Sequence, residues 1–284
     1  MLMSAMRSTA RNAPHHASRF IFYVCCVVLP WAAAENSART VDLDVPFVTT
    51  PQSVSEAMLT IANVDKRDFL VDLGSGDGRI VILAATKFGA RGLGVEIDPQ
   101  LVDISRTNAK QAGVAHRSQF RTEDLFKTDL SRATVITMYL LPDVNIALRP
   151  SLLALKPGTR IVSHDWDMGD WLPDAELRVP APEKKLGLER TSRVMLWKVP
   201  AAVDGRWCSR AHPALTLALM QRYQRVEAEV VGPRSFKFTA RLDGARLSTE
   251  GAGDAQIRSA QLVFVGTSSL AGTWTRANGA CGGK

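Results

Sequence analysis

Apolar positions along residues 46–200 follow two alternating rhythms. After Pro51, Val54, Met58, Leu59 and Ala62 recur at helical spacing, with Ser53 or Ser55 placed to cap the start. Phe69-Leu70-Val71-Asp72-Leu73 is a short strand-like run that ends at a cluster of glycines. The pattern then predicts a helix over 79–88, a strand over 92–97, a helix over 101–112 with Pro99 near its start, and a strand over 118–121. Residues 134–140, apolar on both faces, predict a fourth strand. Residues 144–155 form a helix closed by Lys156-Pro157-Gly158, and 159–164 a fifth strand. Residues 177–179 and 194–199 complete the sheet, while Pro180 and Pro182 between them suit a loop. Strands alternating with helices at this spacing imply an α/β fold with helices on both faces of the sheet.

After Pro200 the period changes. Leu215, Leu217 and Leu219 alternate, as do Val226, Ala228 and Val230, then Phe236 and Phe238. Asp243-Gly244 is a hairpin-turn signal, and 262–265 and 273–275 add short strands. Residues 201–284 therefore read as a small all-β domain, a compact barrel or sandwich, without a chemical motif.

The N-terminus reads as a targeting segment. Three of the seven net positive charges lie in residues 1–34, as Arg7, Arg11 and Arg19 with no acid. An apolar stretch over 20–34 follows and ends in Ala32-Ala33-Ala34 before Glu35. These are the parts of a secretory signal peptide, and the stretch is shorter than the ~20 residues of a membrane span. Residues 1–34 are thus expected to direct export to the periplasm. Left uncleaved, they would anchor the chain to the membrane. Residues 35–45 read as a linker. Once the segment is removed only Cys208 and Cys281 remain, either a disulfide of an exported protein or two free thiols. The remaining charges are interleaved, with no Lys/Arg run, which argues against nucleic acid as a partner.

The informative segment is Asp72-Leu73-Gly74-Ser75-Gly76-Asp77-Gly78-Arg79, at the C-terminal end of the first strand. Ligands of open α/β sheets bind at such strand ends. The spacing is Gly-x-Gly-x-Gly, and Arg79 takes the third place of a dinucleotide fingerprint. Asp72 and Asp77 would repel a pyrophosphate, whereas a ligand with an ammonium and a sulfonium would be stabilised beside them. Glu96 ends the second strand about twenty residues on, where an acid accepts ribose hydroxyls. Asp124, after the third strand, is placed for an adenine amine.

With these residues the sequence resembles the class I methyltransferases, whose Rossmann-like sheet has seven strands. The resemblance runs from about Pro46 to Pro200 and is nearest to bacterial relatives of the mitochondrial lysine methyltransferases that modify the ATP synthase c-subunit. It rests on Pro46-Phe47-Val48-Thr49-Thr50-Pro51, on residues 72–82, and on Gly94-Val95-Glu96-Ile97-Asp98-Pro99. It implies S-adenosylmethionine as cofactor, with Asp72, Gly74, Gly76 and Asp77 at the methionine end, Glu96 at the ribose and Asp124 at the adenine. It also implies a lysine of a protein as methyl acceptor.

Tyr139-Leu140-Leu141-Pro142 follows the fourth strand in place of the Asn/Asp-Pro-Pro-aromatic motif, which argues against amide and nucleobase acceptors. Tyr139, Leu140, Leu141 and Pro142 are candidate walls of an acceptor channel, with Trp166 opposite and Asp165 or His164 relaying the amine proton to water. Ordinary burial of Tyr139 is the competing reading. His164-Asp165-Trp166-Asp167 has no second His or Cys at ligand spacing, so a substrate-facing loop is expected rather than a metal site. Two other functions remain open: a non-catalytic exported binding module, and a nicotinamide-dependent oxidoreductase, which would need Gly or Ala at Arg79.

Overall fold

Helix α1 (Gln52–Ile61) turns Val54, Ser55, Met58 and Leu59 inward, and strand β1 (Phe69–Leu73) follows as a nearly buried run. The computed structural model describes residues 48–184, 190–250, 252–258, 260–266, 269–279 and 281. The expected signal segment 1–34, the linker 35–45, and Pro46 and Phe47 lie outside the described residues. Pro51, not Ser53 or Ser55, occupies the N-cap of α1, and the Ser55 hydroxyl instead donates to the Pro51 carbonyl (3.1 Å). Helix α2 (Arg79–Phe88) and strand β2 (Arg91–Glu96) come next. Helix α3 (Pro99–Gln111) starts at Asp98, whose carboxylate accepts from the Gln100 N–H, with Pro99 in the first turn. Strands β3 (Ser118–Thr122) and β4 (Val135–Met138), helix α4 (Pro142–Leu153) and strands β5 (Arg160–His164), β6 (Ala175–Pro180) and β7 (Thr191–Lys198) complete the sheet.

The strand order is β3-β2-β1-β4-β5-β7-β6. Neighbours are parallel from β3 to β5, and β7 runs antiparallel to both β5 and β6. Order reverses between β1 and β4, so the crevice for a ligand opens at their carboxyl ends. Alternate strand residues divide into two cores. Leu70, Val135, Val162 and Val194 pack under α1, α2 and α3. Val71, Ile136, Ile161 and Trp197 pack under α4 together with Met168 and Trp171. The β5–β6 connection carries no helix, and Trp171 within it is fully buried.

The remaining strands close a barrel: β8 (Gly205–Ser209), β9 (Thr216–Arg222), β10 (Arg225–Val231), β11 (Phe236–Asp243), β12 (Arg246–Thr249), β13 (Ala255–Arg258), β14 (Gln261–Phe264) and β15 (Gly272–Arg276). Trp207, Leu217, Val226, Leu242, Leu262 and Trp274 fill its interior, so it is a packed core and not a ligand cup. The buried indoles of Trp207 and Trp274 donate to the Val203 and Leu270 carbonyls (2.8 and 2.9 Å). A Cys208–Cys281 disulfide ties the C-terminal tail back to β8. Among the described residues no helix is long and apolar enough to cross a membrane.

Candidate active site

The chain leaves β1 through Gly74, Gly76 and Gly78, with φ of +73°, +53° and +80°, a region that side chains resist. A Cβ at Gly74 would lie 3.0 Å from Leu140 Cδ2, and one at Gly78 2.7 Å from the Phe120 ring. The Gly74 and Ser75 N–H groups donate to the Val95 carbonyl (3.0 and 2.9 Å), tying the turn to the end of β2. There Glu96 Oε2 accepts from the Gly76 N–H (2.9 Å), while Oε1 accepts from Ile97 and Asp98 (2.8 and 3.2 Å). The carboxylate is thereby fixed in orientation, with acceptor capacity left on Oε2.

Asp72 is 3% exposed and accepts a hydrogen bond from the Thr137 hydroxyl (2.7 Å). Burial pushes its carboxyl up to about 8; the Thr137 bond opposes the rise, and the charges of Glu96 and Asp77 add to it. A cation in the crevice would reverse that cost. Asp77 is less free than the sequence suggests. Arg79 Nε and Nη2 grip its carboxylate (2.9 and 2.6 Å), and Arg79 Nη1 reaches on to the Thr50 carbonyl (3.0 Å). Asp124 caps a short 3-10 turn (Leu125–Lys127), accepting from the Phe126 N–H (2.9 Å) with Lys127 3.2 Å away. That N–H bond, reinforced by Lys127, lowers its pKa.

Two apolar side chains that the sequence pattern did not single out belong to the same edge. Ile97 is 75% exposed directly after Glu96, and Phe126 is 45% exposed two residues after Asp124. Exposed apolar residues beside acids at adjacent strand ends offer faces for a flat heteroaromatic ring. The available signal was that each follows its acid within two positions.

On the other side of the crevice the Tyr139 ring stacks on His164, with centroids 3.9 Å apart. His164 is fully buried. Its Nδ1 lies 3.3 Å from the Thr50 hydroxyl and its Nε2 2.8 Å from the Ser192 hydroxyl. Burial pushes its pKa down to about 4, so the ring is neutral. With both nitrogens engaged and no exposed surface, His164 supports Tyr139, and the expected relay from His164 to water has no open path. Asp165 is also engaged: Oδ1 accepts from the Arg193 N–H (2.9 Å), and Oδ2 pairs with Lys184 (2.8 Å), a residue the sequence did not single out. Leu140 is buried against Gly74, under the glycine turn, so it is not a channel wall. Pro142 is exposed at the first turn of α4, and Trp166 is 42% exposed. The Tyr139 hydroxyl has no hydrogen-bond partner among the described residues; burial, with the charge of Asp165, pushes it up to about 12. Among the described residues no group of three or more His, Cys, Asp or Glu side chains forms a metal cage.

A family model described as the ANTKMT methyltransferase domain matches residues 72–175. A protein-lysine N-methyltransferase of Saccharolobus islandicus (strain REY15A) is 43% identical over 137 residues, 48% of this chain and 85% of that protein. The chain belongs to the class I S-adenosylmethionine-dependent methyltransferases. A lysine N-methyltransferase of the ATP synthase c-subunit, from Xenopus laevis, is 33% identical over 46% of this chain, which spans only 58% of that protein's length. A solved structure titled as an RNA methyltransferase from Salinibacter ruber in complex with S-adenosyl-L-homocysteine is 53% identical. It covers 55% of this chain and 96% of its own, with a TM-score of 0.49. The family model ends at residue 175, so the barrel lies beyond it.

S-adenosylmethionine is the cofactor of this methyltransferase, and the residues present suit it. The glycine turn leaves room where a Cβ would clash, Asp72 gains by facing a cation, and Glu96 retains acceptor capacity for a hydroxyl. Asp77 reaches the cofactor only if Arg79 yields or shares it.

Proposed function

We propose that this methyltransferase transfers a methyl group to the side-chain nitrogen of a lysine in a protein. The observation that carries the reading is the 43% identity to a protein-lysine N-methyltransferase across 85% of that protein. The site agrees with it. The turn after β4 offers an aromatic hydroxyl where enzymes acting on amides and nucleobases carry a carboxamide or carboxylate.

S-adenosylmethionine supplies a methyl group on a sulfonium, which leaves as a neutral thioether. The chain must align the acceptor in line with that bond and exclude water. A lysine amine has a reference pKa of about 10.4 and must lose its proton to water before it attacks. The half-buried Tyr139 ring, the Leu141 side chain and Pro142 form a wall that disfavours the charged ammonium. The Tyr139 oxygen accepts a hydrogen bond from the amine and so directs its lone pair. Buried, neutral His164 keeps the ring in place.

Mass spectrometry of methylated peptides from cells with and without the gene tests the acceptor. Loss of a methyl-lysine mark on deletion is the expected result. Purified protein that transfers labelled methyl to RNA and not to lysine would overturn the reading.

We propose further that residues 1–34 are a signal peptide that directs export to the periplasm and is cleaved, the alternative being an uncleaved membrane anchor. The Cys208–Cys281 disulfide supports an oxidising compartment. The N-terminal mass of protein from the cell envelope tests cleavage.

A further inference from the structure

The β9–β10 hairpin of the barrel reaches into the methyltransferase sheet at the connection between β5 and β6. Trp171, fully buried, donates its indole N–H to Gln224 Oε1 (3.1 Å) and stacks on Tyr223, with centroids 5.9 Å apart. Gln224 is itself 4% exposed, and its amide donates to the Leu172 carbonyl (2.7 Å) and to Asp174 Oδ1 (3.3 Å). The Tyr223 hydroxyl donates to Asp170 (3.0 Å). Charge reinforces this contact. Arg225 lies directly opposite Arg222 on β9 and Arg241 on β11, a like-charged row that is unfavourable alone. Arg222 pairs with Asp170 (3.1 Å) and Arg241 with Asp174 (2.5 Å).

The same short connection begins at the active site. Asp165 and Trp166 lie at its start, and Trp166 is bound through its carbonyl to Ser163 and Asn145 (2.6 and 3.0 Å). An isolated bridge joins Met168 to Trp171, so little slack separates Trp166 from the residue that the barrel holds. From α4, Arg149 also binds the Met168 carbonyl and Asp170 (2.8 and 2.6 Å). Movement of Trp171 therefore reaches Trp166 along a chain of few free torsions.

We propose that the hairpin tip, through Tyr223 and Gln224, is a positioning clamp that sets the acceptor-side loop 165–174 for methyl transfer. The barrel holds the loop from beyond residue 175, where the family model ends. Tyr223 and Gln224 are positioning residues, acting through Trp171. The clamp rests on the proposed lysine reading only for the identity of the acceptor.

Amide exchange is measured on the full chain bound to S-adenosylhomocysteine, and transfer on the full chain supplied with labelled S-adenosylmethionine. Gln224→Leu keeps volume and removes the hydrogen bonds; Tyr223→Phe keeps the ring and removes the bond to Asp170. Met220→Ala, at an exposed position on β9, is the control. Expected for Gln224→Leu is amide exchange at least tenfold faster across 165–172, with exchange across 74–82 and S-adenosylhomocysteine affinity unchanged within twofold. Labelled methyl incorporation into protein extract from cells lacking the gene should fall at least fivefold. Tyr223→Phe should give a smaller change in the same direction, and it decides the matter if Gln224→Leu fails to fold. Unchanged exchange in 165–172, or faster exchange with unchanged incorporation, would overturn the clamp. So would equal loss in the glycine turn and in ligand affinity. Wild-type label entering only RNA would overturn the lysine reading, and the exchange result would still decide the clamp.

Discussion

The Tyr139 ring lies over the His164 imidazole at 3.9 Å between centroids, although His164 has no exposed surface and Tyr139 is only partly buried. The pair is a support with one working face. Tyr139→Ala is expected to lower methyl incorporation at least tenfold while S-adenosylmethionine affinity, read by calorimetry, changes less than twofold. Tyr139→Phe should lie between wild type and Tyr139→Ala, because it keeps the stack and loses only the oxygen. If affinity and melting temperature fall together in Tyr139→Ala, the residue is packing and the acceptor lies elsewhere.

Glu96 holds its own loop by accepting from the Gly76 N–H, and the ribose role expected of it is testable. Glu96→Gln keeps one acceptor oxygen and removes the charge. The expected loss in S-adenosylmethionine affinity is at least tenfold, in line with about 1.5–3 kcal/mol for a hydrogen bond to a charged group. Wild-type affinity in this variant would remove the carboxylate from the ribose site.

The centre of the sheet was legible because β1, β4 and β5 are short, mostly apolar, nearly buried runs between helices. The stacked pair was within reach as well. Parallel pairing of Met138 with Ser163 puts the next residues, Tyr139 and His164, side by side. Thr50 and Ser192, which occupy the two ring nitrogens of His164, come from distant segments with no pattern of their own. In the barrel, β12 (Arg246–Thr249) buries only Leu247, and a period of two cannot be read from one apolar residue. The grip of Gln224 on Trp171 was illegible for a further reason: a buried glutamine looks like any surface glutamine until its partner is known.

Asp72 makes cofactor binding proton-linked. With its carboxyl at about 8, it is mostly protonated at pH 7 in the free protein. A bound cation lowers that value, so binding at pH 7 should release roughly one proton. Calorimetry in buffers of different ionisation enthalpy measures this, and Asp72→Asn should abolish it. The same shift acts on stability. The folded pKa lies above the unfolded value, so this contribution is full below about pH 4 and is lost as pH rises toward 8. Absence of proton release in wild type would place the cationic end of the ligand away from Asp72.

The Cys208–Cys281 bond closes a loop with a sequence separation of 73, worth about 4 kcal/mol in the chain-entropy treatment. The Cys208→Ser, Cys281→Ser pair should lower the denaturation midpoint by a corresponding amount. Thiol titration of unreduced, denatured protein from the cell envelope should find neither sulfur free. Titratable thiols at both Cys208 and Cys281 would show that the chain resides in a reducing compartment.

Gly94 carries the last prediction, because it shows how closely β2 approaches the cofactor turn. A Cβ there would lie 2.6 Å from Ser75 Oγ and 2.6 Å from Phe120 Cδ1. Ser75 is held between Gly74 and Gly76, and its N–H is tied to Val95, so it cannot retreat without moving the turn. Phe120, on β3, is equally confined, because its ring also lies where a Gly78 Cβ would be. Gly94→Ala therefore forces the glycine turn away from β2 and is expected to cost about 1–3 kcal/mol, as overpacking does. The displaced turn should weaken S-adenosylmethionine binding more than tenfold, since the Gly76 N–H would lose its register with Glu96. Gly279→Ala, where nothing lies within 4 Å of the added carbon, should leave both quantities unchanged. A Gly94→Ala protein with lower stability and full cofactor affinity would show that the turn tolerates displacement, and that Ser75 is held by something other than this close approach.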